Sequence, residues 1–252
     1  MDFTNQCVLI TGGSRGIGKA TAFAFAQAGA RVAINYLQNE QAAQTTIESL
    51  PGGPHLAIQA NVEEPEEVRQ LINEVVTEFG RLDVVVNNAG IFQAHPIDKI
   101  TYSEWQAAWA NTIGVNLLGP ANICYCAAQY MIIQGHGRIV NVSSRGAFRG
   151  EPDQPAYGAS KAGLNALSQS LAQALAPHRI FVGVVAPGFV QTDMAKDILA
   201  SPAGESIRQQ SPLGRVAYPE EVAKAILFLA SPGTDFMTGT IIDVNGASYL
   251  RS

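Results

Sequence analysis

The chain has 252 residues, of which 47% are hydrophobic and 15% are charged, so it is long and apolar enough to bury a core. This composition excludes an intrinsically disordered protein. The net charge of −5 gives no electrostatic reason to expect a nucleic acid or an anionic membrane as a partner.

Nothing in the chain suggests a membrane anchor or a secreted protein. No apolar run approaches the roughly 20 residues that span a bilayer, and the short run Cys7–Ile10 follows Asp2 without a basic segment. The three cysteines cannot all pair with one another, and Cys124-Tyr125-Cys126 does not have a spacing typical of metal ligands. We expect a cytoplasmic protein without a metal site.

Short β-branched runs alternate with helical patterns along the chain. Several are apolar almost throughout, as in Leu82-Asp83-Val84-Val85-Val86, which is typical of strands covered by helices on both faces. The predicted strands are Gln6–Ile10, Arg31–Tyr36, Leu56–Ala60, Leu82–Asn87, Arg138–Val142, Ile180–Val185 and Thr240–Val244. The alternation predicts one Rossmann-like, doubly wound α/β domain over residues 1–252, with a parallel seven-stranded sheet and helices on both faces.

The segment after the third predicted strand has the pattern of a helix packed on that sheet. Pro65 and two glutamates stand where a helix begins, and Gly80 stands where it ends. Apolar residues recur between them at helical spacing, namely Val68, Leu71, Ile72, Val75, Val76 and Phe79.

The first strand leads directly into the glycine-rich loop Thr11-Gly12-Gly13-Ser14-Arg15-Gly16-Ile17-Gly18. Glycines allow a tight turn and a close approach of the backbone to a ligand. The helix that follows offers unpaired N–H groups and a positive dipole end to a pyrophosphate. A glycine-rich connection without a ligand is the alternative, but the order strand, turn, helix favours a dinucleotide site.

The end of the second strand indicates which dinucleotide is preferred. An NAD-specific fold usually has an acidic side chain here for the ribose 2′-hydroxyl, yet Asn35-Tyr36 is followed by no acid before Glu40. Arg15 can bind a 2′-phosphate bidentately, although it could also be a solvated loop residue. We therefore predict that NADP (NADPH) is preferred, with NAD possible.

Tyr157 and Lys161 are four residues apart, so they share one face of a helix. A free tyrosine has a pKa of about 10 and is a poor proton donor and acceptor near neutrality. A neighbouring ammonium favours the phenolate. We expect Lys161 to lower the pKa of Tyr157; the alternative is a solvated pair on a helix surface.

Together these motifs resemble the short-chain dehydrogenase/reductase family, in its short single-domain branch, over essentially the whole chain. Asn87-Asn88-Ala89-Gly90 matches the family signature that lies along the cofactor. Asn141-Val142-Ser143-Ser144 ends the fifth strand, and the family's serine lies thirteen residues before its tyrosine, which selects Ser144 over Ser143. The resemblance implies an NAD(P)-dependent oxidoreductase that acts on CH–OH groups.

The resemblance also implies four catalytic residues: Ser144, Tyr157, Lys161 and Asn116. Ser144 and Tyr157 would donate to the substrate oxygen, Lys161 would bind the nicotinamide ribose, and Asn116 would hold a water linking Lys161 to solvent. The spacing from the preceding tryptophans leaves Asn111 as a competitor for this last role. The Leu117-Leu118-Gly119 that follows favours Asn116.

Cofactor contacts are implied at the glycine loop, at the ends of the second, third, fourth and sixth strands, and at the catalytic pair. They are Gly12, Ser14, Arg15, Gly16, Ile17, Gly18, Tyr36, Asn61, Val62, Asn88, Ala89, Gly90, Tyr157, Lys161, Pro187, Gly188, Val190 and Thr192. Asn61 stands where the family often has an aspartate facing the adenine, and its amide oxygen can still accept from the adenine amino group.

Two loops are expected to border the substrate. A small lid is predicted at about residues 191–212, and loop Gln93–Lys99 lies at the same end of the sheet, with His95 expected to be an exposed loop histidine. The chain resembles 3-oxoacyl-acyl-carrier-protein reductases overall. However, Ser103–His136 contains no Lys or Arg and Pro155–Pro177 contains only Lys161, whereas an acidic carrier needs a basic patch.

These two stretches are expected to pair with other subunits, so we predict a homo-oligomer, by resemblance a tetramer. Their apolar residues are Ile123, Tyr125, Ala128, Tyr130, Ile132, Leu164, Leu167 and Leu171. A small free alcohol, sugar or steroid-like ketone remains an alternative substrate. A less favoured alternative is a regulatory protein that binds the cofactor but catalyses no reaction.

Overall fold

The computed structural model describes residues 1–251 and contains one seven-stranded parallel sheet. The strands are β1 (Cys7–Ile10), β2 (Arg31–Tyr36), β3 (Leu56–Gln59), β4 (Val84–Asn87), β5 (Gly137–Val142), β6 (Ile180–Pro187) and β7 (Ile241–Val244). Their order across the sheet is β3-β2-β1-β4-β5-β6-β7. The predicted fold is confirmed, and no strand end differs from its expected position by more than two residues.

Ten α-helices connect the strands within residues 1–251. They are α1 (Gly16–Gln27), α2 (Glu40–Ser49), α3 (Pro65–Phe79), α4 (Tyr102–Ile113), α5 (Gly119–Gln134), α6 (Gly146–Arg149), α7 (Pro155–Leu175), α8 (Lys196–Ala200), α9 (Ala203–Gln209) and α10 (Pro219–Ala230). A π-helical turn, Gly114–Leu118, joins α4 to α5. The two short helices α8 and α9 lie in the segment predicted to be a lid.

Both faces of the sheet are covered by helices, because successive strand residues point to opposite sides. Val8 and Ile10 of β1 belong to one apolar cluster with Phe25 of α1, whereas Leu9 belongs to the other with Ile72 of α3. All five side chains are fully buried, and burying each contributes about 1.5–3 kcal/mol. Double coverage is the physical reason why the strand sequences are apolar rather than alternating.

Helix α3 begins and ends at the residues that the sequence indicated. Pro65 occupies its first turn, and Gly80 follows its last residue with a φ of 75°, a left-handed conformation that glycine adopts without strain. The face formed by Val68, Leu71, Ile72, Val75 and Phe79 is buried against the sheet.

The sheet brings the loops after β1 and β4 together. The chain leaves β1 towards β2 on one side, and β4 pairs with the other side of β1. The N–H of Thr11, just after β1, donates to the carbonyl oxygen of Val86 in β4 at 3.0 Å. A crevice opens where neighbouring connections diverge, and ligands bind there in doubly wound sheets.

The described part of the chain contains neither a membrane-spanning helix nor a cluster of metal-binding side chains. Within residues 1–251 none of the helices combines the length and the hydropathy that crossing a bilayer requires. The same residues contain no group of three His, Cys, Asp or Glu side chains that could hold a metal ion. Cys124 is a buried thiol whose pKa burial raises to about 12, so it packs as a small core residue.

Candidate active site

Glycines shape the loop after β1. Gly12 and Gly16 have φ angles of +61° and +54°, which favour glycine over any residue with a Cβ. A Cβ on Gly18 would lie 2.2 Å from the carbonyl oxygen of Gly12, far inside van der Waals contact. The loop therefore folds tightly back on itself and brings the start of α1 to the carboxyl end of β1.

The first turn of α1 presents free hydrogen-bond donors to this edge of the sheet. The N–H groups of Gly16, Ile17 and Gly18 have no acceptor within residues 1–251. Arg15 at the N-cap is exposed and makes no side-chain cap, and Ser14 precedes it in the turn. Unpaired donors at a positive helix end fit a pyrophosphate, so these residues could hold a dinucleotide.

The signature after β4 fixes the glycine loop in place. The Asn88 side-chain nitrogen donates to the carbonyl oxygens of Thr11 and Gly12, both at 3.0 Å. In return, the Thr11 hydroxyl accepts the N–H of Asn88 at 3.1 Å and that of Ala89 at 3.0 Å. The four hydrogen bonds make the two loops one unit.

Gly90 continues this unit into the catalytic region. A Cβ there would lie 3.2 Å from the Asn116 Oδ1 and 3.5 Å from the Lys161 Nζ. The loop after β4 thus runs directly past two of the predicted catalytic side chains.

The ends of β2 and β3 form one side of the crevice. Tyr36 and Val62 are buried there. The Asn61 Oδ1 accepts the N–H of Glu63 at 3.1 Å, an Asx turn that fixes the amide. An amide oxygen has two lone pairs, so one remains for a donor such as the adenine amino group.

The segment after β6 forms the opposite side. Pro187 ends the strand, and the Gly188 N–H donates to a β7 carbonyl oxygen at 3.0 Å. Val190 forms an isolated parallel bridge with Ala217. A Cβ on Gly16 would lie 3.1 Å from the Thr192 Cγ2, so this segment contacts the glycine loop.

The two serines at the end of β5 have different partners. The Ser143 hydroxyl donates to the Lys161 carbonyl oxygen at 3.3 Å and is buried away from the site. The Ser144 Oγ accepts the N–H of Gly146 at 3.0 Å, and its hydroxyl also lies beside Tyr157, where hydrogen bonding lowers the pKa of that phenol. The geometry therefore agrees with the choice of Ser144.

Tyr157 and Lys161 lie in the first turns of α7, beside Ser144. The Tyr157 ring packs edge-on against Phe92, with 4.8 Å between ring centroids. Lys161 is only 4% exposed. Its Nζ donates to the Val142 carbonyl oxygen at 2.9 Å and lies 5.9 Å from the centroid of the Tyr157 ring.

The prediction that Lys161 lowers the pKa of Tyr157 is wrong for the protein alone. Burial raises the pKa of the phenol above its ordinary value, the hydrogen bond to Ser144 lowers it in part, and the charge of Glu151 raises it further. Burial also lowers the pKa of Lys161 to about 8. Desolvation is the largest cause of both shifts, and the ammonium is bound to the Val142 carbonyl oxygen rather than to the phenol.

Asn116 is buried in the π-helical turn and contacts the loop after β4. Its Oδ1 accepts the N–H of Ile91 at 2.9 Å, and its Nδ2 donates to the Ile91 carbonyl oxygen at 3.0 Å. The Nδ2 also lies 3.2 Å from the Ser160 hydroxyl oxygen. Asn111 is exposed in α4, so the structure brings Asn116 and not Asn111 to the site. Single π turns often occur at functional sites.

Two charged or titratable side chains near the site were not foreseen in these positions. His95 is 1% exposed and not an exposed loop residue, because its ring nitrogens bond to backbone groups in two elements. Glu151 is partly buried, with its carboxylate 3.8 Å from Arg149. No sequence pattern marks either residue, since their burial depends on contacts between distant segments.

Comparison with known proteins supports the chemistry that this geometry suggests. A family model described as Enoyl-(Acyl carrier protein) reductase matches residues 12–247. The chain belongs to the short-chain dehydrogenase/reductase family. As a member of that family it is an oxidoreductase acting on CH–OH and keto groups.

Its relatives cover nearly the whole chain. It is 41% identical over 250 residues to a 3-oxoacyl-[acyl-carrier-protein] reductase of Synechocystis sp., covering 98% of each chain. A Thermotoga maritima protein of the same description is 40% identical over 254 residues, covering 99% of this chain and all of the relative. The crystal structure of a dehydrogenase/reductase from Sinorhizobium meliloti superposes with a TM-score of 0.91 at 31% identity, covering 99% and 97% of the two chains.

The buried ammonium predicts an unusual dependence of stability on pH. Because the folded pKa of Lys161 is about 8, below its ordinary value of 10.5, the unfolded chain binds more protons between these pH values. The free energy of unfolding should therefore rise with pH there. The neutral variant Lys161→Met should lack this rise. Across this pH range, the free energy of unfolding of the unmodified protein should rise by on the order of 3 kcal/mol more than that of the variant.

Urea unfolding of both proteins at pH 7, 8.5 and 10 measures the effect. The exposed Lys19 provides the control variant Lys19→Met, whose profile should follow that of the unmodified protein. If the free energy of unfolding changed equally with pH in Lys161→Met and in the unmodified protein, the burial of a charged amine would be contradicted.

Proposed function

We propose that this protein transfers a hydride between NADP(H) and a ketone or secondary alcohol, with Ser144, Tyr157, Lys161 and Asn116 as its catalytic residues. The observation that carries the proposal is the position of Tyr157 and Ser144 beside each other at the carboxyl edge of the sheet. The loop after β4, which Asn88 binds to the glycine loop, passes Lys161 there. The preferred substrate class is a 3-oxoacyl thioester.

Each residue has one role in ketone reduction. The nicotinamide supplies the hydride to the carbonyl carbon when it is bound. The Ser144 hydroxyl donates a hydrogen bond to the substrate oxygen, and Tyr157 gives its proton to that oxygen as negative charge develops there. Lys161 binds the nicotinamide ribose. Asn116, whose side chain lies beside the loop that passes Lys161, holds a water that links Lys161 to solvent. Alcohol oxidation uses the same groups in reverse.

Because its pKa is raised, Tyr157 in the protein alone holds the proton that ketone reduction requires. A phenol that keeps its proton at neutral pH is a proton donor, whereas oxidation of an alcohol needs the phenolate as a base.

Two observations support a preference for NADPH: the exposed guanidinium of Arg15 and the lack of an acidic residue at the end of β2. Arg15 is exposed beside the start of α1, and no ion pair within residues 1–251 engages it. Tyr36 ends β2 where an NAD-specific fold has an acidic residue. A guanidinium can bind a 2′-phosphate through two parallel hydrogen bonds.

The substrate class follows from the relatives, which are described as 3-oxoacyl-[acyl-carrier-protein] reductases. Helices α5 and α7 nevertheless offer no basic patch to an acidic carrier. A small free ketone, sugar or steroid-like ketone is therefore the second candidate, favoured by this absence of cations.

The same helices support a homo-oligomer, and by family a tetramer. Ile123, Ala128 and Leu164 belong to the core and cannot contribute to an interface. Tyr125 of α5, however, and Leu118 in the π-helical turn just before it are exposed apolar side chains. Large exposed apolar groups commonly mark protein interfaces.

Tyr157→Phe tests the proton donor. The variant keeps the ring that packs on Phe92 and loses only the hydroxyl, so kcat should fall by a factor on the order of 10²–10⁴. NADPH binding, measured by fluorescence titration, should be unchanged. A variant with near-normal kcat would overturn the assignment.

Arg15→Ala tests the cofactor preference. Loss of the guanidinium should raise the KM for NADPH about tenfold and leave the KM for NADH unchanged. The matched control is Lys19→Ala, an exposed cation one turn further along α1. The proposal fails if the unmodified protein prefers NADH.

A substrate panel tests the class. NADPH oxidation is followed with acetoacetyl thioesters beside diketones, keto-sugars and aldehydes, with Tyr157→Phe as the blank. Turnover of thioesters alone supports the reductase assignment, and turnover of free ketones alone supports the second candidate. No turnover with any of them would contradict the proposed function.

A further inference from the structure

The ring of His95 lies between the loop after β4 and the start of α7, and both its nitrogens are in use. Nδ1 lies 2.8 Å from the Gln93 carbonyl oxygen, and Nε2 lies 3.1 Å from the backbone nitrogen of Ala156. A carbonyl oxygen can only accept and an N–H can only donate. His95 is therefore the neutral tautomer with its proton on Nδ1.

The bond to Ala156 completes the first turn of α7. Pro155 has no N–H, and the N-cap residue Gln154 makes no side-chain cap. The N–H groups of Tyr157 and Gly158 both donate to the Gln154 carbonyl oxygen, at 3.0 and 3.3 Å. Ala156 carries the one remaining donor, and a buried donor needs an acceptor. The ring of His95 replaces the missing cap from a distant segment.

Two further contacts join the same loop to α7 and to the segment just before it. The backbone N–H of His95 donates to the Asp153 carbonyl oxygen at 2.8 Å. The Phe92 ring packs on the Tyr157 ring of α7. The other end of this stretch, Ile91, is bound through both its backbone groups by Asn116. Residues 91–95 are thus fixed at both ends.

We propose that His95 is a positioning residue that fixes Tyr157, the residue directly after Ala156, by capping α7 from the loop after β4. The proposal rests on the proposed function for its catalytic consequence. His95 does not contact the reacting atoms. Without the acceptor, a buried N–H is left unpaired and the first turn of α7 loosens, so the phenol moves relative to Ser144.

Two amide variants separate the two ring nitrogens. In His95→Gln an amide oxygen can take the place of Nε2 and accept from Ala156, whereas in His95→Asn the shorter amide can replace only Nδ1. His95→Phe keeps the ring contact with Trp105, whose centroid lies 5.6 Å away, and has neither nitrogen.

We expect kcat for ketone reduction to fall about ten- to a hundredfold in His95→Asn and His95→Phe, because small misplacements of a catalytic group cost this much. His95→Gln should retain most of the activity, and the Kd for NADPH should be unchanged in all three. Equal loss in the Gln and Asn variants would overturn the capping role.

Hydrogen–deuterium exchange provides a readout without turnover. The peptide covering residues 154–160 should exchange faster in His95→Asn and His95→Phe than in the unmodified protein or His95→Gln, while the distant helix α3 remains unchanged. If the unmodified protein turns over no substrate, the proposed function fails. The exchange rates of the variants would still show whether His95 caps α7. Unchanged exchange in all variants would overturn the proposal.

Discussion

The hydrogen bonds between Asn88 and the loop after β1 are the constraint on which the site depends. The parallel sheet brings the ends of β1 and β4 to one edge, but strand pairing stops before the loops begin. Asn88 and Thr11 continue the connection beyond the sheet. Asn88 binds the Thr11 and Gly12 carbonyl oxygens, so the turn is held in place while the N–H groups at the start of α1 stay free within residues 1–251. The loop that continues past Gly90 is thereby placed beside Lys161.

Burial rather than charge pairing sets the proton chemistry of the site. The four-residue spacing of Tyr157 and Lys161 predicted a shared helix face, which the structure confirms. It could not predict that Lys161 bonds to the Val142 carbonyl oxygen in β5, nor that both groups are desolvated. Spacing along a helix determines which side chains share a face, whereas the pKa of a side chain depends on which other elements cover it.

The same distinction explains how much of this protein could be predicted from its sequence. Strands covered on both faces and the glycine turn are local patterns with local causes, so their positions followed from the residues themselves. Ser144 was distinguished from Ser143 only by the family's spacing to Tyr157. His95 was expected to be exposed because it lies in a loop. It is buried because its ring binds the Ala156 N–H, 61 residues away, and contacts Trp105 on a third element. Asn116 was separable from Asn111 only by resemblance, because the π turn has no sequence signal.

The two segments that we expect to border the substrate differ in how they are built, and this difference would bear on specificity. Residues 91–95 are bound to α7 and to Asn116 and cannot shift without disturbing Tyr157. Residues 191–212 instead contain a small apolar cluster of their own, formed by Ala195, Leu199 and Ile207. This cluster is separate from the two clusters that cover the sheet. A segment with its own core can change sequence or position at little cost to the rest of the fold. If the proposed function is right, substrate choice can vary in this segment while Tyr157 stays fixed.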